Sequence, residues 1–153
     1  MNDGDDTHRP FEYSAITDAI FVGTNGCCRM HFDEMLAREG VTYDISLEED
    51  RLDAPFGVTA YVWIPVRDKT PPSPEQFAFG VAVLRQILRS GRRVYVHCRN
   101  GHGRAPTLVA AYLIGEGQSA ADALAVLKTR RPTVHVEPAQ QAALEDIARQ
   151  QNR

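Results

Sequence analysis

The amino-acid sequence predicts an α/β fold: a single layered domain whose central, mostly parallel sheet of about four to five strands is flanked by helices. Short β-prone segments alternate along the chain with segments whose apolar residues recur at helical spacing. The 153 residues are enough for one substantial core and too few for two comfortable ones. Residues 1–10 are acidic and lack an apolar period, so we expect a flexible tail followed by one domain over residues 11–153.

The first part of the chain contains three predicted strands and one short helix. Residues 19–22 form a short apolar run that is typical of a buried strand. A helical stretch over residues 31–38 precedes Gly40, which suits the left-handed conformation that ends many helices. Residues 41–47 and 58–65 are the next two predicted strands. This order of elements already favours strands connected through crossovers.

The clearest predicted helix begins after Ser73. Ser73 provides an N-cap hydroxyl, Pro74 occupies the first helical position, and Gln76 stands where a capping box needs it. Apolar residues then recur at helical spacing until Gly91 provides a stop. The remaining predicted elements are a strand over residues 94–96 and helices over residues 105–115, 119–129 and 138–150.

The bulk composition excludes several classes of protein. A formal net charge of -3 argues against a nucleic-acid partner, which requires a basic surface. The longest apolar run, residues 108–114, is too short for a membrane span, and the acidic N-terminus is unlike a signal peptide. Cys27 and Cys28 are adjacent and Cys98 stands alone, a pattern that predicts reduced thiols and a cytoplasmic location rather than a disulfide framework. A bond between one of the pair and an oxidised Cys98 is the alternative.

The segment after residues 94–96 carries the strongest functional signal. In α/β folds ligands bind beyond the carboxyl ends of the strands. Here Cys98 follows the strand and Arg104 comes after five further residues. Gly101 and Gly103 permit unusual dihedral angles, so that successive backbone N–H groups can point inward. Pro106 suits the first turn of the next helix, and a helix N-terminus attracts anions.

This loop predicts a phosphate site with a nucleophile at its centre. Inward amides and a nearby cation stabilise a thiolate as well as phosphate oxygens, and Arg104 can grip two such oxygens at once. A buried structural cysteine is the alternative, but it has no need of the glycines, the arginine or the helix start. The predicted phosphate-binding residues are Arg99, Asn100, Gly101, His102, Gly103 and Arg104.

Attack by the Cys98 thiolate on a phosphate monoester expels an oxyanion that leaves far better when it is protonated. Asp68 is the candidate acid, because it follows a predicted strand and precedes the capped helix. An ordinary turn aspartate is the structural alternative. Asp44, Asp50 and Asp53 are other candidates, but none has the same relation to that helix.

The run His97-Cys98-x5-Arg104 resembles the signature of the cysteine-based protein tyrosine phosphatases, and the short chain resembles their dual-specificity branch. An aspartate 30 residues before the cysteine, followed shortly by paired prolines, is also typical of that branch. The resemblance implies hydrolysis through a cysteinyl-phosphate intermediate, with Asp68 acting first as acid and then as base, and with neither cofactor nor metal. It implies a phosphorylated substrate, a phosphoprotein in the first place. Basic residues such as Arg99 and His102 resemble the phosphoinositide-directed members, which is the alternative.

One departure from the family pattern concerns Ala105. The family usually has Ser or Thr here, and that hydroxyl speeds breakdown of the phosphoenzyme. The sequence Gly-Arg-Ala-Pro resembles the loop of some plant glucan phosphatases, and Thr107 is a candidate substitute. Two other readings stay open: a non-catalytic phosphate-binding pseudophosphatase, and a rhodanese-like sulfurtransferase, which would need neither the glycines nor Asp68.

Three further expectations concern residues outside the loop. His97 is expected to hydrogen-bond the loop rather than act as acid or base. Gln140 matches a glutamine that lies near the site in similar small phosphatases. The basic run that includes Arg130 and Arg131 is expected to form a solvated helix end.

Overall fold

A computed structural model describes residues 11–28 and 32–152, apart from the side chain of Cys28. The predicted tail over residues 1–10 lies outside the described residues, as does the predicted first residue of the 31–38 helix. The strands are β1 (Tyr13–Ala15), β2 (Ile20–Gly23), β3 (Val41–Glu48), β4 (Ala60–Val66) and β5 (Arg93–His97). The helices are α1 (Glu34–Arg38), α2 (Pro74–Arg89), α3 (Arg104–Gly115), α4 (Ala120–Arg130) and α5 (Pro138–Gln151), with a short 3₁₀ turn at Asn25–Cys28.

The five strands form one sheet in the order β1-β2-β5-β3-β4, with β1 antiparallel to β2 and the other pairs parallel. The predicted α/β layered fold is therefore confirmed. His97 stands opposite Gly23 on one side and Ser46 on the other, so β2, β5 and β3 end at the same edge of the sheet. The chain that leaves β5 consequently enters a site flanked by two other strand ends.

Both faces of the sheet are covered, because successive side chains of a strand point to opposite faces. Val94 and Val96 pack in the larger core, which is shared with α2, α3, α4 and α5. Tyr95, between them, packs in a smaller cluster with Phe21 and with Leu36 of α1. The strand that leads into the loop, β5, is therefore central in the sheet and buried on both faces.

Local signals placed most elements correctly. α2 begins with the predicted capping box between Ser73 and Gln76, and Gly91 beyond its end has a φ of +73°. The strand β1 was not predicted, because three residues are too few to show an alternating pattern. None of the described helices is both long and apolar enough to cross a membrane.

Candidate active site

The loop between β5 and α3 lies at the carboxyl edge of the sheet. Cys98 follows the last residue of β5 directly and is only 3% exposed. Arg104 is the first residue of α3 and is 4% exposed. Gly103 caps that helix without a side-chain hydrogen bond, so the first amides of α3 have no side chain of their own to occupy them. Such a helix start attracts an anion.

Every carbonyl from Arg99 to Gly103 accepts a hydrogen bond from a donor outside the loop. The donors are Asn25 N to Arg99 O (3.2 Å), Arg131 Nη2 to Asn100 O (2.9 Å), Arg131 Nε to Gly101 O (3.0 Å), His135 N to His102 O (2.7 Å) and Thr107 N to Gly103 O (2.9 Å). The described chain contains no cis peptide bond, and in a trans peptide the N–H points opposite to the C=O. Carbonyls that face outward therefore turn the amides of residues 100–104 inward, towards the pocket.

The two loop glycines serve different purposes. Gly101 has a φ of +68°, and a Cβ there would lie 2.8 Å from the carbonyl oxygen of Gly23. Gly103 has an ordinary φ of -132°, so dihedral freedom does not explain it. A Cβ at Gly103 would instead lie 3.1 Å from Oε1 of Gln140. The predicted dihedral freedom is confirmed at Gly101, whose φ is positive, whereas Gly103 has no positive φ and lies close to the Gln140 side chain.

A pocket of about 160 Å³ opens above the loop. It brings together Cys98 and Arg104, which belong to one loop motif, and Asp68, which lies 30 residues earlier in the chain. The residues that line it are Asp68, Lys69, Cys98, Arg99, Asn100, His102, Gly103, Arg104, His135, Glu137 and Gln140. Of the predicted phosphate-binding residues, Gly101 alone is missing from this lining. The predicted roles of nucleophile, phosphate ligand and acid require these three side chains to share one pocket, and the roles themselves stay predictions.

Arg104 links the loop to the segment that carries the candidate acid. Its Nη1 donates a hydrogen bond to the carbonyl of Val66 (3.0 Å), the last residue of β4, and its Nε lies 3.6 Å from Oδ1 of Asp68. The Asp68 side chain is 70% exposed, whereas the Arg104 side chain is buried. The cation thus lies at the base of the pocket and the carboxyl at its rim.

Gln140 holds the acid-bearing turn in place. Its Nε2 donates to the carbonyl of Thr70 (3.1 Å), and its Oε1 accepts from the backbone N–H of Glu137 (2.8 Å). Within the turn, Lys69 adopts a φ of +65° and its N–H donates to Oδ1 of Asp68 (2.9 Å). A residue other than glycine in this conformation is held there by its surroundings. Contacts from α5 therefore help to define where Asp68 stands.

The other candidate acids lie elsewhere. Asp44 and Asp53 have fully buried carboxylates that face Nε2 of His97, at 3.0 and 3.3 Å. Asp50 is exposed and does not line the pocket. The geometry therefore favours Asp68 over all three alternatives.

His97 does not play the part expected of it. The prediction that it hydrogen-bonds the loop is wrong, since in the described part of the chain neither ring nitrogen makes such a bond and Nε2 faces the two buried carboxylates. Burial by itself would lower the pKa of His97, but the charges of Asp44, Asp53 and Glu48 and the close contact with Asp44 raise it above its usual 6.5. A buried imidazole that faces two carboxylates thus immediately precedes Cys98 in the chain.

This pairing makes the stability of the protein depend on pH. Because the folded state raises the pKa of His97, folding favours the protonated ring, and this stabilisation is complete below pH 6.5 and is lost as the pH rises through the folded pKa. Asp44→Asn is expected to destabilise the protein by about 3 kcal/mol at pH 6, and by progressively less as the pH rises through the folded pKa of His97 and the ring loses its charge. Urea unfolding over a series of pH values measures this. An equal loss at every pH would contradict the pairing.

Cys27 differs from its expected state. It takes part in a disulfide, whereas Cys98 is a free thiol, so the prediction of reduced cysteines throughout is wrong for Cys27. Donor atoms of Cys27, Asp44 and His97 lie within 4.8 Å of one another, a grouping that no sequence spacing indicated. A metal ligand must be a thiolate rather than a disulfide sulfur, so the group forms a buried polar cluster in this state.

Sequence reasoning also missed residues of the site. Lys69, His135 and Glu137 line the pocket, and only Lys69 had a signal, its position next to Asp68. Arg131 was assigned to a solvated helix end, yet it is 1% exposed and donates to two loop carbonyls. That assignment is wrong because the chain leaves the helix at Arg131 with an extended φ of -136°, which turns its side chain inward.

Comparisons with known proteins agree with this geometry. Residues 20–150 match the family described as dual specificity phosphatase, catalytic domain. The chain is 33% identical over 91 residues to phosphatidylglycerophosphate phosphatase PTPMT2 of Arabidopsis thaliana, a match that covers 58% of this chain and 40% of that protein. It is 28% identical over 127 residues to human dual specificity phosphatase 28, with 80% of this chain and 70% of that protein covered.

The solved structures agree on the fold. A crystal structure of human DUSP28 superposes with a TM-score of 0.82 at 24% identity, covering 91% of this chain and 97% of that one. The matched segment spans 40% of the length of the Arabidopsis relative and 70% of the length of the human relative. The family match extends over most of the chain and includes the loop between β5 and α3. This protein therefore belongs to the dual specificity phosphatase catalytic domain family.

Proposed function

We propose that this protein hydrolyses phosphate monoesters through a cysteinyl-phosphate intermediate, with phosphoproteins as substrates and the cytoplasm as its location. The Cys98 thiolate attacks phosphorus, and the bond to the leaving oxygen breaks as Asp68 delivers a proton to it. Asp68 then accepts a proton from the water that attacks the phosphocysteine. Inorganic phosphate leaves, and the thiolate is regenerated.

The outward hydrogen bonds of the loop carbonyls carry this proposal. Because those carbonyls are held from outside, the amides of residues 100–104 are preorganised around one small volume before any ligand arrives. Charge spreads over the equatorial oxygens of phosphorus during transfer, and donors that are already in place stabilise it without further reorganisation. Arg104 adds a buried cation at the same point.

The absence of a hydroxyl at Ala105 provides a test of this mechanism. It is fully buried, and the hydroxyl of Thr107 donates to the carbonyl of Gly103 (2.7 Å), so Thr107 is engaged within its own helix. With no hydroxyl at position 105, we expect the phosphoenzyme to break down slowly and to accumulate. Rapid mixing with p-nitrophenyl phosphate in the presence of chelator should release a burst of about one product per enzyme.

Ala105→Ser restores the family hydroxyl and should raise the steady-state rate by about tenfold, with a smaller burst. When the reaction of the parent protein, with Ala105 in place, is quenched with acid and the protein is digested, the phosphorylated peptide should contain Cys98. A linear time course with no phosphopeptide would contradict the covalent mechanism. Tight phosphate binding with no turnover would favour the pseudophosphatase reading.

A second candidate substrate is a phospholipid that carries a terminal phosphate. The lining includes Lys69, Arg99 and two histidines in addition to Arg104, and the described residues contribute no Phe, Tyr or Trp side chain to it. Such a rim suits a headgroup with a second anionic group better than the ring of phosphotyrosine. The Arabidopsis relative is named for phosphatidylglycerophosphate. Comparing kcat/KM on that lipid in micelles with kcat/KM on phosphotyrosyl and phosphothreonyl peptides decides between the two classes.

A further inference from the structure

Arg131 is a buried cation that the proposed chemistry does not use. Its side chain is 2% exposed, and its guanidinium lies on the outer side of the loop. Nε donates to Gly101 O (3.0 Å), Nη2 to Asn100 O (2.9 Å) and Glu12 Oε1, and Nη1 to Glu12 Oε2 (2.9 Å) and Ser14 Oγ (3.1 Å). A guanidinium has five N–H donors, so all of them are occupied.

We propose that Arg131 is a positioning residue for the phosphate-binding loop, held in place by Glu12, and that it sets the affinity of the loop for phosphate. This inference rests on the proposed function, since it names what shapes the same site. Two of the loop's outward carbonyls depend on this one side chain. The amides that follow them, those of Gly101 and His102, point into the pocket for that reason.

Two physical effects act in the same direction. The first is geometric: among the described residues, Arg131 is the donor that holds the carbonyls of Asn100 and Gly101 outward. The second is electrostatic: a cation at the oxygen end of a peptide increases the positive character at its N–H end. Both strengthen the binding of an anion that never touches Arg131.

The space around the loop is consistent with this role. A Cβ at Gly101 would lie 2.9 Å from Nη2 of Arg131, so the guanidinium packs directly against the backbone at the tightest bend of the loop. Glu12 is half exposed and precedes β1, and its carboxylate forms a paired, two-point contact with the guanidinium. The start of β1 is thereby tied to the loop between β5 and α3.

The test uses Arg131→Lys, Glu12→Gln and, as a matched control, Arg130→Ala, because Arg130 is the exposed neighbour of Arg131. Lysine keeps the charge but has three donors where five are used. We measure the inhibition constant of inorganic phosphate and kcat/KM for p-nitrophenyl phosphate. The expected result is a rise of about 10- to 100-fold in the inhibition constant for Arg131→Lys, a smaller rise for Glu12→Gln, and no change for Arg130→Ala.

The amide NMR signals of Gly101 and His102 provide a readout that needs no turnover. Both should shift in Arg131→Lys and Glu12→Gln and stay unchanged in Arg130→Ala. If Arg131→Lys fails to fold, Glu12→Gln alone carries the test, since it keeps an acceptor of the same shape. Unchanged loop signals and unchanged phosphate inhibition in a folded variant would overturn the inference. Shifted loop signals in a protein that never hydrolyses phosphate esters would support it while sinking the proposed function.

Discussion

Cys98→Ser is expected to abolish turnover, lowering kcat for p-nitrophenyl phosphate by a factor of about 10⁴ or more. A hydroxyl in place of the thiol is not ionised at neutral pH, so the loop would hold the phosphate without a nucleophile to attack it. The backbone that forms the anion site is independent of the sulfur, because its carbonyls are held from outside the loop. Phosphate binding should therefore survive the substitution.

The measurement combines kinetics with ligand binding. Steady-state assays are run with chelator to exclude a contaminating metal-dependent phosphatase, and phosphate affinity is measured by calorimetry on the parent and the variant. We expect similar affinities, within about threefold, and a rate at background. Turnover that persists in pure Cys98→Ser protein would refute the assignment of the nucleophile. Loss of both rate and binding would indicate that the loop itself had collapsed.

Asp68→Asn is expected to lower kcat by about 10²- to 10⁴-fold on substrates with poor leaving groups. A phosphoserine alkoxide must be protonated as it leaves, whereas p-nitrophenolate leaves readily without a proton. The loss should therefore be much smaller on p-nitrophenyl phosphate. The substitution keeps the shape of the side chain, so its acceptor for the Lys69 N–H and the turn around it are expected to remain.

Asp50→Asn is the matched control for this experiment. Asp50 lies between β3 and β4, whereas Asp68 follows β4; Asp50 is exposed and does not line the pocket. Its replacement should leave the rates on a series of aryl phosphates unchanged, while Asp68→Asn should make the rate fall more steeply as the leaving group becomes more basic. If Asp68→Asn behaved like Asp50→Asn across that series, Asp68 would not be the acid.

Local features of the sequence specified much of this domain. Two local signals define the ends of α2: the capping box of Ser73 and Gln76, and the glycine at position 91. Each acts within a few residues, so the sequence alone is enough to predict its effect. The same holds for the spacing of Cys98 and Arg104, which encloses one tight loop between a strand and a helix. Interactions across so few residues depend little on the rest of the fold.

Other features were decided only when distant segments met. Arg131 and Glu12 are separated by 119 positions in the chain, and Gln140 reaches a carbonyl that is 70 positions away. Whether such a side chain is buried depends on which elements pack against it, so a basic run that looks like a solvated helix end can contain a buried guanidinium. The partners of His97 and the close approach of Gln140 to Gly103 arise in the same way. The local motif was therefore enough to predict the chemistry of the site. The contacts that hold the motif in shape were decided by the tertiary fold, because local spacing carries no signal for burial or for long-range hydrogen bonds.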